Sequence, residues 1–250
     1  MRIGRVRKKP NRLVRGIMKR TMLLLFWPVI LSSLSMAAAD IKLRVRHDHG
    51  IKSCQGEIIF GESTVAYETT NKKHARVWKY QDIQQIGLLG PKRLAILTYE
   101  DRKIVFGKDR VFNFEILDGE VNEATWIFLE KHVTKPLVSE IIPAGVPVKY
   151  SIPVKHLKGW GGTQGTLEIT DSFVVYLTAA RSDSRVWRYE NIGSVGSTGP
   201  YQLRLTTMER VNGEYGGEKN FIFDLKERLN KDAYDFIWWK LNGPGISAVP

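Results

Sequence analysis

His47, Asp48 and His49 are the densest chemical grouping in this 250-residue chain. Imidazoles two residues apart on a strand point the same way, so His47 and His49 could share a metal ion with Asp48 beside them. The same places recur 109 residues later (156 − 47) as His156, Leu157 and Lys158. Only the first histidine survives there, as a structural histidine at a strand end would. No metal and no cofactor is therefore expected, His47 and His49 being the candidates if one were held. No catalytic residue is expected either. A hydrolytic triad needs a Ser or Cys nucleophile on an elbow, and no such motif accompanies His74 or His132. Gly159-Trp160-Gly161-Gly162 lacks the Lys-Ser/Thr ending of a phosphate loop and opens onto a strand.

Contact chemistry is more promising than catalysis. Trp160 lies between glycines in a polar loop where the earlier passage has Ile51, and a large aromatic left in water there needs a cover. Trp160, with Lys158, Arg46 and Lys52 on the paired loops, forms the candidate set for ligand or partner binding.

These residues belong to a duplicated passage. His47, Gln55-Gly56, Tyr67, Arg76-Val77-Trp78, Pro91, Phe112 and Phe114 return as His156, Gln164-Gly165, Tyr176, Arg185-Val186-Trp187, Pro200, Phe221 and Phe223, all at the 109-residue offset. Roughly a third of the aligned positions are identical, so the chain holds two repeats of one module. Each module reads as about seven short β-rich runs with turn residues between them, then a helical period. Ala124, Ile127, Phe128 and Lys131 set that period in the first, answered by Ala233, Phe236, Ile237 and Lys240. Trp78 with Tyr80, and Trp187 with Tyr189, share a strand face by the two-residue period and read as core aromatics. Glu100 and Glu209 read as exposed strand-end charges. Cys54, the only cysteine, reads as a small side chain tucked at a strand start, with Thr163 as its counterpart.

The net charge of +12 suggests nucleic acid until it is located. Residues 1–39 hold nine Lys or Arg and no acid, which leaves 29 basic (38 − 9) against 26 acidic residues elsewhere. No nucleic-acid partner is expected of so balanced a body. A basic start, an apolar stretch from Thr21 to Met36 and Ala37-Ala38-Ala39 predict a secretory signal peptide cut before Asp40, with Met18 as an alternative start. The destination is periplasmic or extracellular, and the membrane is involved only through export or an uncleaved N-terminal anchor. The resulting division is 1–39 leader, 40–134 first domain, 135–151 Pro-rich linker, 152–243 second domain and 244–250 flexible tail. Pro136, Pro143 and Pro147 keep the linker extended.

Strands closed by a C-terminal helix, with Arg76-Val77-Trp78-Lys79-Tyr80-Gln81-Asp82-Ile83 and Arg185-Val186-Trp187-Arg188-Tyr189-Glu190-Asn191-Ile192 leading to the middle of each module, resemble the pleckstrin-homology-like superfold, including its bacterial and GRAM-type branches. The resemblance implies a mainly β protein of two tandem units, each two nearly orthogonal antiparallel sheets with a helix at one open end. It also implies binding to headgroups, peptides or proteins. The loops Arg46–Ser53 and Lys155–Gly162 carry too few basic residues for the lipid-binding branch, so phosphoinositide is not the expected ligand. The reading is an exported, non-enzymatic binding or scaffold protein for a protein or peptide partner. Glycan or lipid-surface recognition at the cell envelope is the second reading, and a metal-dependent enzyme the third.

Overall fold

A computed structural model describes residues 40–49, 52–102, 107–180, 182–210 and 218–243. The expected leader, the β-rich run at 103–106 and the tail 244–250 lie outside them. The first repeat runs β1 (Ile41–Asp48), β2 (Ser53–Phe60), β3 (Thr64–Thr69), β4 (Arg76–Lys79), β5 (Ile83–Leu88), β6 (Arg93–Asp101), β7 (Asp109–Asp118) and α1 (Glu123–His132). After β8 (Leu137–Ser139), the second runs β9 (Val148–Leu157), β10 (Gly162–Thr170), β11 (Phe173–Leu177), β12 (Arg185–Arg188), β13 (Ile192–Ser197), β14 (Gln202–Thr207), β15 (Lys219–Leu225) and α2 (Lys231–Asn242). The molecule is thus mainly β. Among the described residues no helix is long and apolar enough to cross a membrane.

Alternation of side chains builds the strands. In β1, Leu43, Val45 and His47 are buried while Arg44 and Arg46 face solvent, the period of two that a half-buried strand requires. The strand order within the first repeat is β5-β6-β7-β1-β2-β3-β4, and the second follows the identical order β13-β14-β15-β9-β10-β11-β12. Each repeat has its own apolar cluster, around Phe60, Tyr67 and Phe112 in the first and Ile169, Tyr176 and Phe223 in the second.

Among the described residues, β8 joins the two series into one fifteen-stranded sheet that ends at β4 and β13. It pairs parallel to β5 (Ile86↔Leu137, Gly87↔Val138, Leu88↔Ser139) and antiparallel to β12 (Val186↔Ser139). The segment expected as linker therefore contains a fully buried strand instead of a spacer. Prolines at 136, 143 and 147 lie outside this three-residue pairing, so the ladder loses no N–H to them.

Both helices begin on an asparagine cap. Asn122 accepts from Thr125 N at 3.2 Å, and Asn230 from Asp232 N at 2.8 Å. The buried face of α1 differs from the expected one: Thr125, Trp126, Phe128 and Leu129 are inside, while Ala124 and Ile127 are exposed. Trp126 turns inward because its ring packs edge-on against Phe173 of the second repeat, centroids 5.3 Å apart. In α2 the matching position is Asp235, and Ala233 and Ile237 are buried as the pattern predicts.

Candidate functional site

His47 and His156 occupy equivalent places, 3% and 6% exposed, each walled by a Tyr and two Phe rings. Burial lowers the pKa of both below the ordinary 6.5. His47 Nδ1 lies 2.9 Å from the Asn113 carbonyl. His156 Nδ1 stands 3.6 Å from Asp183 Oδ2, an ion-pair distance too long for a hydrogen bond.

Beyond His47 the repeats diverge. His49, Cys54 and His74 converge in the first, their ligand-capable atoms all within 4.8 Å of one another and each residue half-buried. His49 Nε2 meets Cys54 Sγ at 2.9 Å, the His49 and His74 rings lie 4.2 Å apart, and Cys54 Sγ touches Tyr67 Oη at 3.0 Å. Burial, then the His74 and Arg110 charges, hold His49 below its ordinary pKa. At the offset of 109 the second repeat has Lys158, Thr163 and Asp183. Lys158 Nζ binds Asp183 Oδ1 at 2.9 Å, and Thr163 Oγ1 donates to Asp183 Oδ2. Burial opposes ionisation of Asp183, but the bonds from Lys158 and Thr163 outweigh it and keep its carboxyl below the ordinary value. His74 lacked any motif in the sequence; its exchange for Asp183 at the 109 offset, alongside that of His49 for Lys158, was the available signal.

The aromatic pairs follow the repeat more closely. Trp78 and Trp187 are 4% and 2% exposed, and their indole N–H groups donate to Glu100 Oε1 at 2.9 Å and Glu209 Oε1 at 2.7 Å. The two glutamates are thus not the free strand-end charges expected. Glu209 is buried and also paired with Arg185 and Lys219, and Glu100 with Arg76 and Arg110. Tyr80 and Tyr189 leave the strand face expected for them, because each opens a 3-10 turn. Both are half-buried against their clusters and donate to carbonyls, Gly61 and Thr170 respectively.

Trp160 is 99% exposed at the β9–β10 loop. Lys52 is exposed at the β1–β2 loop. Arg46 lines a cleft of about 820 Å³ between the repeats, with Lys92, Arg93, Phe114, Glu140 and Ser182. Its cations are internally engaged: Arg46 pairs with Glu115, Arg93 with Ser182, and Lys92 with the Gly119 carbonyl. Of these, only the Arg46 bond is to an acid; Arg93 and Lys92 donate to neutral groups and keep their charge.

The open edge of β13 is the counterpart of an edge the chain fills itself. Ile86 N donates to the Pro136 carbonyl at 3.3 Å, and Glu140 N to the Leu88 carbonyl at 2.9 Å, so residues 86 and 88 turn their backbone toward β8. Their equivalents Val195 and Ser197 turn theirs away from β14, toward a side with no strand among the described residues. One of those groups, the Val195 carbonyl, receives Tyr234 Oη at 3.5 Å, the limit of a hydrogen bond. The opposite edge shows what coverage does: Val186 on β12 is 3% exposed under β8, and its counterpart Val77 on β4 is 70% exposed.

No family model matches the chain, and no curated relative does. Among solved structures, the C-terminal domain of an unknown protein from Leishmania infantum is similar at 14% identity, with a TM-score of 0.28, over 34% of this chain and 76% of that one. The Spt16D Pob3N heterodimer is similar at 12% identity, with a TM-score of 0.28, over 68% of this chain and 84% of that one.

Proposed function

We propose that the chain is an exported binding protein of two tandem pleckstrin-homology-like units, which takes an extended peptide of a partner protein as an added strand on β13. One observation carries this: β5 holds Leu137-Val138-Ser139 in parallel register, while the same positions one repeat later, Val195-Gly196-Ser197, have no further strand beside them among the described residues. An edge strand offers a row of unpaired N–H and carbonyl groups, and main-chain bonds to it supply affinity with little demand on sequence. The tandem-unit reading is supported by the identical strand order and the helix that closes each repeat.

The test uses the peptide Thr-Lys-Pro-Leu-Val-Ser-Glu-Ile-Ile, which copies residues 134–142, labelled and titrated into the full chain. Saturable binding that Ser197→Pro weakens at least about tenfold is expected, since proline removes an outward N–H at an exposed edge position. Residues 245–248 fall at the offset of 136–139 (245 − 136 = 109) and are the competing occupant. Binding gained only after deletion of 244–250 would assign the edge to the chain's own tail and end the partner reading, as would binding indifferent to Ser197→Pro.

A second reading is favoured by Trp160, whose 99% exposure in a glycine-rich loop suits stacking on a sugar or a membrane interface. Retention on glycan or liposomes that is lost in Trp160→Ala would support it, and retention that survives would dismiss it.

A further inference from the structure

We propose that His49, Cys54 and His74 form a binding site for a transition-metal ion of borderline softness, zinc being the type, and that the second repeat has replaced that ion with the ammonium of Lys158. One thiol and two imidazoles are gathered on half-buried positions, with all three ligand atoms within 4.8 Å of one another. In a tetrahedral zinc site, bond lengths near 2.3 Å to sulfur and 2.0–2.1 Å to nitrogen imply ligand atoms about 3.5 Å apart. The present spacing, 2.9 Å for His49 Nε2 to Cys54 Sγ and up to 4.8 Å for the rest, brackets that value. Water would complete the fourth position. Binding releases the thiol proton to solvent, leaving a thiolate–metal bond.

The second repeat supplies the independent observation. Its backbone is equivalent, its Thr163 keeps the same 3.0 Å contact to a tyrosine hydroxyl that Cys54 has, and its Asp183 stands where His74 does. There the centre holds a fixed cation, Lys158 Nζ, 2.9 Å from Asp183. The first repeat has no lysine or acid at those three positions, so its donors converge without a built-in charge. The nearby guanidinium groups of Arg76 and Arg110 do not fill the role. Both pair with Glu100, at 3.5 and 3.8 Å, and pack on the Phe112 ring. At His49 the negative potential of Asp48 opposes the larger positive one of Arg110, so the donors' own lone pairs must hold the ion. The His47 ring, 4.3 Å from that of His49, forms one wall and keeps its own Nδ1 on the Asn113 carbonyl.

The test titrates zinc, and cobalt(II) as its spectroscopic stand-in, into the reduced, metal-stripped full chain. The expected result is one equivalent, a sulfur-to-cobalt charge-transfer band, and loss of both in Cys54→Thr. Affinity in that variant should fall more than about 100-fold, beyond the 10–100-fold cost of losing an outer partner. The triple change His49→Lys, Cys54→Thr, His74→Asp installs a set that the second repeat already folds around, and should bind no metal while keeping the wild-type circular dichroism. The reciprocal change Lys158→His, Thr163→Cys, Asp183→His should raise the stoichiometry to two. Absence of the band in the unaltered chain, its survival in Cys54→Thr, or a stoichiometry fixed at one in the reciprocal variant would overturn the proposal.

Discussion

The edge of β5 carries a strand of the chain itself and the matching edge of β13 carries none among the described residues, just as His49, Cys54 and His74 gather ligand atoms where Lys158, Thr163 and Asp183 gather a salt bridge. What the repeats share lies inward: the His among Phe rings, the indole on a glutamate, the glycine under a tyrosine. What they do not share lies at the rim and the edges. Duplication fixes the interior by packing and leaves the periphery free to differ, so differences between the repeats point to function better than identities do.

The sharpest way to break that comparison is at Gly56 and Gly165. A Cβ at Gly56 would lie 2.1 Å from the Glu68 carbonyl oxygen and 2.8 Å from the Tyr67 ring; at Gly165 it would lie 2.3 Å from the Leu177 carbonyl oxygen and 2.7 Å from the Tyr176 ring. Gly56→Ala and Gly165→Ala should each cost about 3 kcal/mol in urea unfolding, because the nearest atom is backbone that must shift. Costs differing more than twofold would mean the two interiors are not equivalent.

A smaller, unequal effect is expected at the glutamates. Glu209→Ala leaves the buried Trp187 N–H without its acceptor and removes one of the two carboxylates on Arg185, Glu140 being the other, and should cost about 2 kcal/mol. Glu100 has a side chain 36% exposed, so Glu100→Ala should cost about 1 kcal/mol. Equal losses would contradict the difference in burial.

Acid separates the repeats further. The folded pKa values of His47 and His156 lie below 6.5, so their contribution to stability is complete above pH 6.5 and is lost as pH falls from there through the lowered folded values. The Asp183 carboxyl, also lowered, contributes above its ordinary 3.8 and is lost only at more acidic pH. Urea midpoints should fall between pH 7.5 and 5, and Asp183→Asn, which removes the carboxylate that raises His156, should deepen that fall while removing the more acidic one. At the small end, Trp160→Ala should change stability by less than about 0.5 kcal/mol, as its side chain touches only solvent; a larger loss would place that ring against the body of the protein.

Much of the fold was legible because strand and repeat leave periodic marks. The 109-residue offset delivered the paired cores, and the alternation in β1 its facing. Other features were hidden for physical reasons. β8 is three residues long, too short to show a period, and its burial comes from two strands distant in sequence. Glu100 and Glu209 looked solvated because each indole partner lies 22 residues away on another strand. The sequence expects no metal and offers His47 and His49 as the candidates if one were held; the side chains that approach His49 include those of Cys54 and His74, from β2 and the turn before β4, whose nearness no sequence spacing shows.

Amide hydrogen exchange read at two residues tests the central claim most directly. Ile86 N, bonded to the Pro136 carbonyl, should be protected, while its equivalent Val195 N should exchange near the unprotected rate and slow on addition of the 134–142 peptide. Equal protection of Ile86 and Val195 in the free chain would show that β13 is already paired and would contradict the account.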